Sequence, residues 1–282
     1  MSVSSKCAEC LWDKQKRRSD DPEYLSEIRS IIDNRKESDT APYLVYQFNQ
    51  VFRQQFGGLD SYRQVKKNYN DLVLSIEDRI RREIASDPDP LKKSLAFARA
   101  GNYIDFGAMN KVSDETLMSL LGDAEFHERD MQAYDSFVEQ CQNAERFLLL
   151  ADNCGEIVLD KLFLEQLHAK FPQLQITVLV RGEEVLNDVT AEDAVYTGIN
   201  KHATIISNGT SIAGTVYETL PDDAKEALDS ADVILSKGQG NYESLCEQGR
   251  HIFYALLCKC DLFTERFSVP RLTGIFVEKD SL

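Results

Sequence analysis

Five short apolar runs recur through the second half of the chain, at 147–151, 176–180, 203–207, 233–236 and 274–277. Each is rich in Val, Ile or Leu and lacks strict polar alternation. Strands covered on both faces have that pattern, and such coverage is typical of parallel sheets. Helix-like segments separate the runs, at 156–170, 192–201, 222–229 and 242–257. Alternating strand and helix defines the fold class as α/β, with a mainly parallel, Rossmann-like sheet flanked by helices. Crossovers between its strands are expected to be right-handed.

The first half reads differently. From Asp21 to about Gln140, apolar residues recur at spacings of three and four, as on one face of a helix. Pro22 and Pro42 open two such segments, Gly57-Gly58 closes the second, and 62–85 reads as a third. Ser86-Asp-Pro-Asp-Pro90 breaks the pattern, and a further helix runs from Leu91 to about Gly101. The expected division is a helical N-terminal region, 1–140, on the cap or substrate side, and an α/β metal-binding core, 141–282. One stretch in the helical half stands out: Ala100-Gly-Asn-Tyr-Ile-Asp-Phe-Gly107. It is either a polar turn or a place where Asn102 and Asp105 reach into a site.

Charge narrows the partners. Lys and Arg total 32 against 47 Asp and Glu, for a net charge of −15. A general nucleic-acid or anionic-membrane binder carries a basic footprint, which is missing here. An anionic substrate must therefore be met by a local Arg or Lys, a metal or backbone amides. No run approaches the ~20 apolar residues of a membrane span. The first residues lack the apolar core of a signal peptide, so the expected location is cytoplasmic. Seven cysteines argue against a disulfide framework.

Open α/β sheets bind ligands at the carboxyl ends of their strands. Here four consecutive strands end in polar or Gly-rich loops: Asp152-Asn-Cys-Gly-Glu156, Arg181-Gly182 with Asn187-Asp188 following, Asn208-Gly-Thr210, and Lys237-Gly-Gln-Gly-Asn241. Singly, each has a plain structural explanation, such as an N-cap or a solvated lysine. Together they describe one polar crevice. Asp152, Asn153 and Asp188 offer oxygen ligands, which suit hard divalent cations such as Mg²⁺ or Mn²⁺. Arg181 and Lys237 suit phosphate, and the turn at Gly238 and Gly240 can present amides to an anion. That combination fits phosphoryl transfer or phosphate-ester hydrolysis, with Glu156 or Asp152 positioning water. GxxxxGK[ST], GxSxG and a GxGxxG after the first strand are all absent.

The same residues carry a family resemblance. Asp152-Asn-Cys-Gly-Glu-Ile-Val-Leu-Asp160, Leu186-Asn-Asp-Val189, Ser236-Lys-Gly-Gln-Gly-Asn-Tyr-Glu243 and the 100–107 stretch resemble the damage-control phosphatases, first catalogued as domain of unknown function 89. Asn208-Gly209 before Gly214-Thr215 also matches. The resemblance implies a metal-dependent phosphatase acting on small phosphometabolites, including sugar phosphates. It implies metal ligation by Asp152, Asn153 and Asp188, and Lys237 near the substrate phosphate. Asn102, Asp105, Arg181, Asn208, Gly238, Gly240 and Asn241 form the expected substrate side. Mn²⁺, Ni²⁺, Co²⁺ and Mg²⁺ are the implied metals. Cys154 stands where the family often has Ala.

Cys7-Ala-Glu-Cys10 resembles a mainly prokaryotic subfamily with an N-terminal CxxC. Zinc usually takes four ligands, and Cys258 with Cys260 would complete a structural Zn²⁺ site if the N-terminus packs there; free thiols are the plainer reading. The four histidines show no ligand spacing. Two other readings compete with the phosphatase: a non-catalytic protein binding a phosphorylated ligand, and an S-adenosylmethionine-dependent carboxyl methyltransferase. The absence of a glycine-rich loop after the first strand counts against the latter.

Overall fold

The computed structural model describes residues 1–59, 61–103, 118, 119, 121, 122 and 124–278. Six strands form one sheet: β1 (Arg146–Leu150), β2 (Gln175–Val180), β3 (Thr204–Ser207), β4 (Val233–Lys237), β5 (Phe253–Leu257) and β6 (Gly274–Glu278), in the order β3-β2-β1-β4-β5-β6. All neighbours pair in parallel except β5 and β6. The strand order reverses between β1 and β4, so their carboxyl ends open a crevice at the switch point.

Successive β1 residues face two different cores. Phe147 and Leu149 join one apolar cluster, and Leu148 and Leu150 the other. Both faces are covered, which explains the unbroken apolar runs. The first face carries α4 (Arg63–Ser75), α5 (Glu77–Ser86), α6 (Pro90–Ala100), α7 (Glu128–Asn143) and α8 (Glu156–Lys170), with α9 (Ala191–Thr197) at its edge. The second carries α10 (Asp222–Ser230), α11 (Gly238–Leu245) and α12 (Asp261–Phe267). Three further helices, α1 (Ser5–Arg18), α2 (Pro22–Asp33) and α3 (Ala41–Phe56), bury Leu11, Tyr24, Ile28, Leu44 and Phe48 in a third cluster of their own. The expected division near residue 140 therefore does not separate two cores, because α4–α7 share theirs with the sheet. Among the described residues, no helix is long and apolar enough to cross a membrane.

Two expected helices are corrected. The 242–257 segment is α11 followed by β5. Gly249, at φ +73°, turns the chain between them, and Phe253 and Ala255 pack on one core while Tyr254 and Leu256 pack on the other. The 62–85 segment is two helices, α4 and α5. They part at Ile76, where the Ser75 hydroxyl bonds back to the Leu72 carbonyl at 2.7 Å. Side-chain bonds of this kind compete with the helix ladder.

Candidate metal and phosphate site

The loop after β1 carries Asp152 and Asn153 and ends at Gly155, the N-cap of α8, at φ +80°. The loop after β2 returns to lie beside it. Val189 N–H donates to the Asp152 carbonyl at 2.9 Å, Cys154 N–H to the Asn187 carbonyl at 2.8 Å, and Asn153 pairs with Asp188 in an isolated bridge. Leu186 takes φ +47° just before this pairing. Backbone conformations of that kind cost energy in a bulky residue and cluster at functional sites.

Side chains knit the loops into one network. Asn102 Nδ2 donates to Asp152 Oδ2 at 2.9 Å and to Glu156 Oε2 at 3.1 Å. Asn153 Nδ2 donates to the same two oxygens, at 2.6 and 2.9 Å, and its Oδ1 accepts from Asn187 Nδ2 at 3.0 Å. Arg181, 2% exposed, donates through Nε to Asp188 Oδ2 at 2.7 Å and through Nη1 to Asn241 Oδ1 at 3.0 Å. Its Nη2 lies 3.6 Å from Asp152 Oδ1 and, though buried, has no hydrogen-bond partner. Asn241 also donates to the Ala151 and Lys237 carbonyls, locking α11 against β1. Gly238 sits at φ +77°, and a Cβ there would strike the Asp152 carboxylate.

Of the residues expected at the site, the structure brings together Asn102, Asp152, Asn153, Glu156, Arg181, Asp188, Gly238 and Asn241. Three expectations are placed differently. Lys237 does not face the crevice. It is fully enclosed, with Nζ 2.6 Å from Glu156 Oε1, 2.5 Å from Asp160 Oδ1 and 2.9 Å from the Ala98 carbonyl. Asn208 accepts from Gly182 and Thr210 N–H groups and donates to the Gly214 carbonyl, so it shapes the loops. Gly240 permits close approach of Ala213, whose carbonyl a Cβ would meet. Asp105 lies outside the described residues.

Of the cysteine quartet, Cys7 lies within electrostatic reach of Cys10 and Cys260, and Cys258 within reach of Cys260. Among the described residues, no three or more His, Cys, Asp and Glu side chains are spaced to hold a metal. Cys258 is buried near the Phe263 carbonyl, whereas Cys10 and Cys260 are exposed. Burial pushes the Cys7 and Cys258 thiols up to about 11. The candidate oxygen set is of a different kind, two carboxylates and an amide.

Two residues were missed. Asp160 follows Glu156 by four positions, so both carboxylates share one helix face; a carboxylate inside the apolar run Ile157–Leu164 was the available signal. Lys259 follows β5, where its charge opposes the rise in the Asp152 pKa, and reading 242–257 as a helix concealed that strand end.

The electrostatics are unbalanced. Burial, reinforced by Asp188 and Glu156, pushes the Asp152 carboxyl up to about 7 against Lys259 and Arg181. Burial likewise raises Asp160 to about 7, with Lys237 opposing. Burial works against the Lys237 charge, but Asp160 and Glu156 outweigh it and raise its pKa. Four closely set carboxylates face two enclosed cations, leaving excess negative charge at the oxygen-rich crevice. A divalent cation would relieve that excess.

The fold and site define an open α/β protein with an oxygen-rich crevice at the sheet's switch point. The Damage-control phosphatase ARMT1-like domain matches residues 3–272, and the chain belongs to that family. A protein named damage-control phosphatase from Archaeoglobus fulgidus is 26% identical over 93% of both chains. One of the same name from Pyrococcus horikoshii is 28% identical over 76% of this chain and 73% of its own. The crystal structure of a DUF89 family protein from P. horikoshii superposes with a TM-score of 0.80 at 22% identity, covering 99% of each chain.

Proposed function

We propose that this chain is a metal-dependent phosphatase that hydrolyses small phosphometabolites, sugar phosphates among them. The observation that carries the reading is a negatively charged oxygen donor set beside a buried Arg181 Nη2 that has no hydrogen-bond partner and faces Asp152 at 3.6 Å. Family membership and the names of the A. fulgidus and P. horikoshii relatives support it.

Asp152, Asn153 and Asp188 would hold the cation, and their hard oxygen donors suit Mg²⁺ or Mn²⁺, with Co²⁺ and Ni²⁺ as alternatives. Bound there, such a cation supplies polarisation of phosphoryl oxygens and a more acidic water. The chain's own groups supply the rest. Arg181 Nη2 offers a free donor to a phosphoryl oxygen, and Lys259 adds positive charge from the β5 loop. The first turn of α11 opens at Gly238 against Asp152 and offers amides to an anion. Lys237 pairs with Glu156 and Asp160, and Glu156 accepts from the same Asn102 and Asn153 amides that donate to Asp152.

A cavity of about 550 Å³ lies between α4, the loop after β2 and α9, and none of Asp152, Asn153, Arg181 and Asp188 lines it. Arg63, Lys67, Glu184, Thr190 and Tyr196 line it, mixing donors, acceptors and one aromatic face. Asp152→Ala tests the reading. Phosphate release from p-nitrophenyl phosphate should be abolished while the circular dichroism spectrum stays unchanged. Retained activity would refute the assignment.

A further inference from the structure

One helix of the N-terminal half touches both loops that carry the candidate metal ligands. On α4, Asn70 is fully buried, and its Oδ1 accepts the Gly155 N–H at 2.6 Å. Gly155 closes the Asp152-Asn153-Cys154 loop at φ +80°, so its amide direction sets the path of that loop. One turn earlier, Lys66 is 3% exposed, and its Nζ lies 2.5 Å from Asp193 Oδ2. That same oxygen accepts Thr190 N–H at 2.9 Å and Thr190 Oγ1–H at 2.6 Å. Thr190 bridges to Arg181 and follows Val189, whose N–H holds the Asp152 carbonyl. The spacing of four puts Lys66 and Asn70 on one face of α4.

We infer that Lys66 and Asn70 are positioning residues that clamp the two ligand loops at the separation a divalent cation requires. The inference rests on the proposed metal site at Asp152, Asn153 and Asp188. Neither side chain is itself a ligand. Asn70 fixes the loop after β1 through a backbone amide, and Lys66 fixes the loop after β2 through the Asp193 cap. Groups that orient ligands from behind typically change metal affinity by about 10–100-fold when removed.

The experiment titrates Mn²⁺ calorimetrically into the chelator-stripped full chain, without substrate. Asn70→Ala and Lys66→Met should each weaken Mn²⁺ binding by about tenfold or more. Asn70→Asp keeps an acceptor for the Gly155 amide and should bind Mn²⁺ more tightly than Asn70→Ala. Hydrogen exchange at 152–156 should accelerate in metal-free Asn70→Ala and return toward the original rate in Asn70→Asp. Lys66→Met carries the test through the second loop should Asn70→Ala fail to fold. Unchanged Mn²⁺ affinity in Asn70→Ala or Lys66→Met overturns the clamp, as does equal weakening in Asn70→Ala and Asn70→Asp. Failure of the unaltered protein to bind Mn²⁺ overturns the metal site itself, and the clamp with it.

Discussion

Arg181 holds Asp188 at 2.7 Å through Nε and faces Asp152 across 3.6 Å through Nη2, so one guanidinium spans the carboxylates of two strand-end loops. A lysine ammonium is a point charge and cannot reproduce that fork. Arg181→Lys should lower kcat/KM by about 10²-fold, the size of losing a preorganised donor. Steady-state kinetics at saturating Mn²⁺ would show this. An unchanged value would remove Arg181 from the site.

Lys237 is the counter-charge of a buried cluster. Lys237→Met leaves Glu156 and Asp160 enclosed without a cation, at a cost of about 3–5 kcal/mol. Urea unfolding should show that loss. Adding Asp160→Asn should recover part of it, because one of the two stranded carboxylates is then neutral. If instead the single variant keeps its stability and loses only phosphate release, Lys237 acts on substrate, as the sequence had suggested.

Two glycines with similar φ separate strain from function. Gly238 and Gly249 lie at φ +77° and +73°, but only at Gly238 would a Cβ meet Asp152. Both alanine variants should lose about 1–2 kcal/mol of stability. Only Gly238→Ala should also lose Mn²⁺ affinity and phosphate release.

Glu243 gives a pH signature away from the metal ligands. Burial pushes its carboxyl up to about 7, above the 4.5 of the unfolded chain. Between those values the folded state holds a proton that the unfolded state has released. Stability from this group is therefore present below pH 4.5 and lost as pH rises through 7. Glu243→Gln should raise Tm at pH 8 and change it far less at pH 4.5. Equal shifts at both pH values would contradict the assignment.

The strand-end residues were legible because parallel α/β sheets bring successive carboxyl ends to one edge, whatever the strand order. Asp152, Asn153, Arg181, Asp188 and Asn241 meet for that reason. The direction of a lysine side chain was not legible. Lys237 closes β4 just before a glycine-rich turn, which suggests an anion, and nothing local reveals that Glu156 and Asp160 wait beneath it. β5 was hidden because Phe-Tyr-Ala-Leu-Leu, buried on both faces, has no helix-or-strand period of its own. Its loss concealed Lys259. Contacts between distant segments, such as Asn70 with Gly155, leave no mark in spacing at all.

The central claim is metal-dependent phosphate-ester hydrolysis at Asp152, Asn153 and Asp188. The most direct measurement is inorganic phosphate release from p-nitrophenyl phosphate and a panel of sugar phosphates, using protein stripped with chelator and then given Mg²⁺, Mn²⁺, Co²⁺ or Ni²⁺ singly. Hydrolysis should vanish on stripping, return with at least one metal, and fail to return in Asp188→Asn. Turnover indifferent to chelator, or silence under every metal, would contradict the claim.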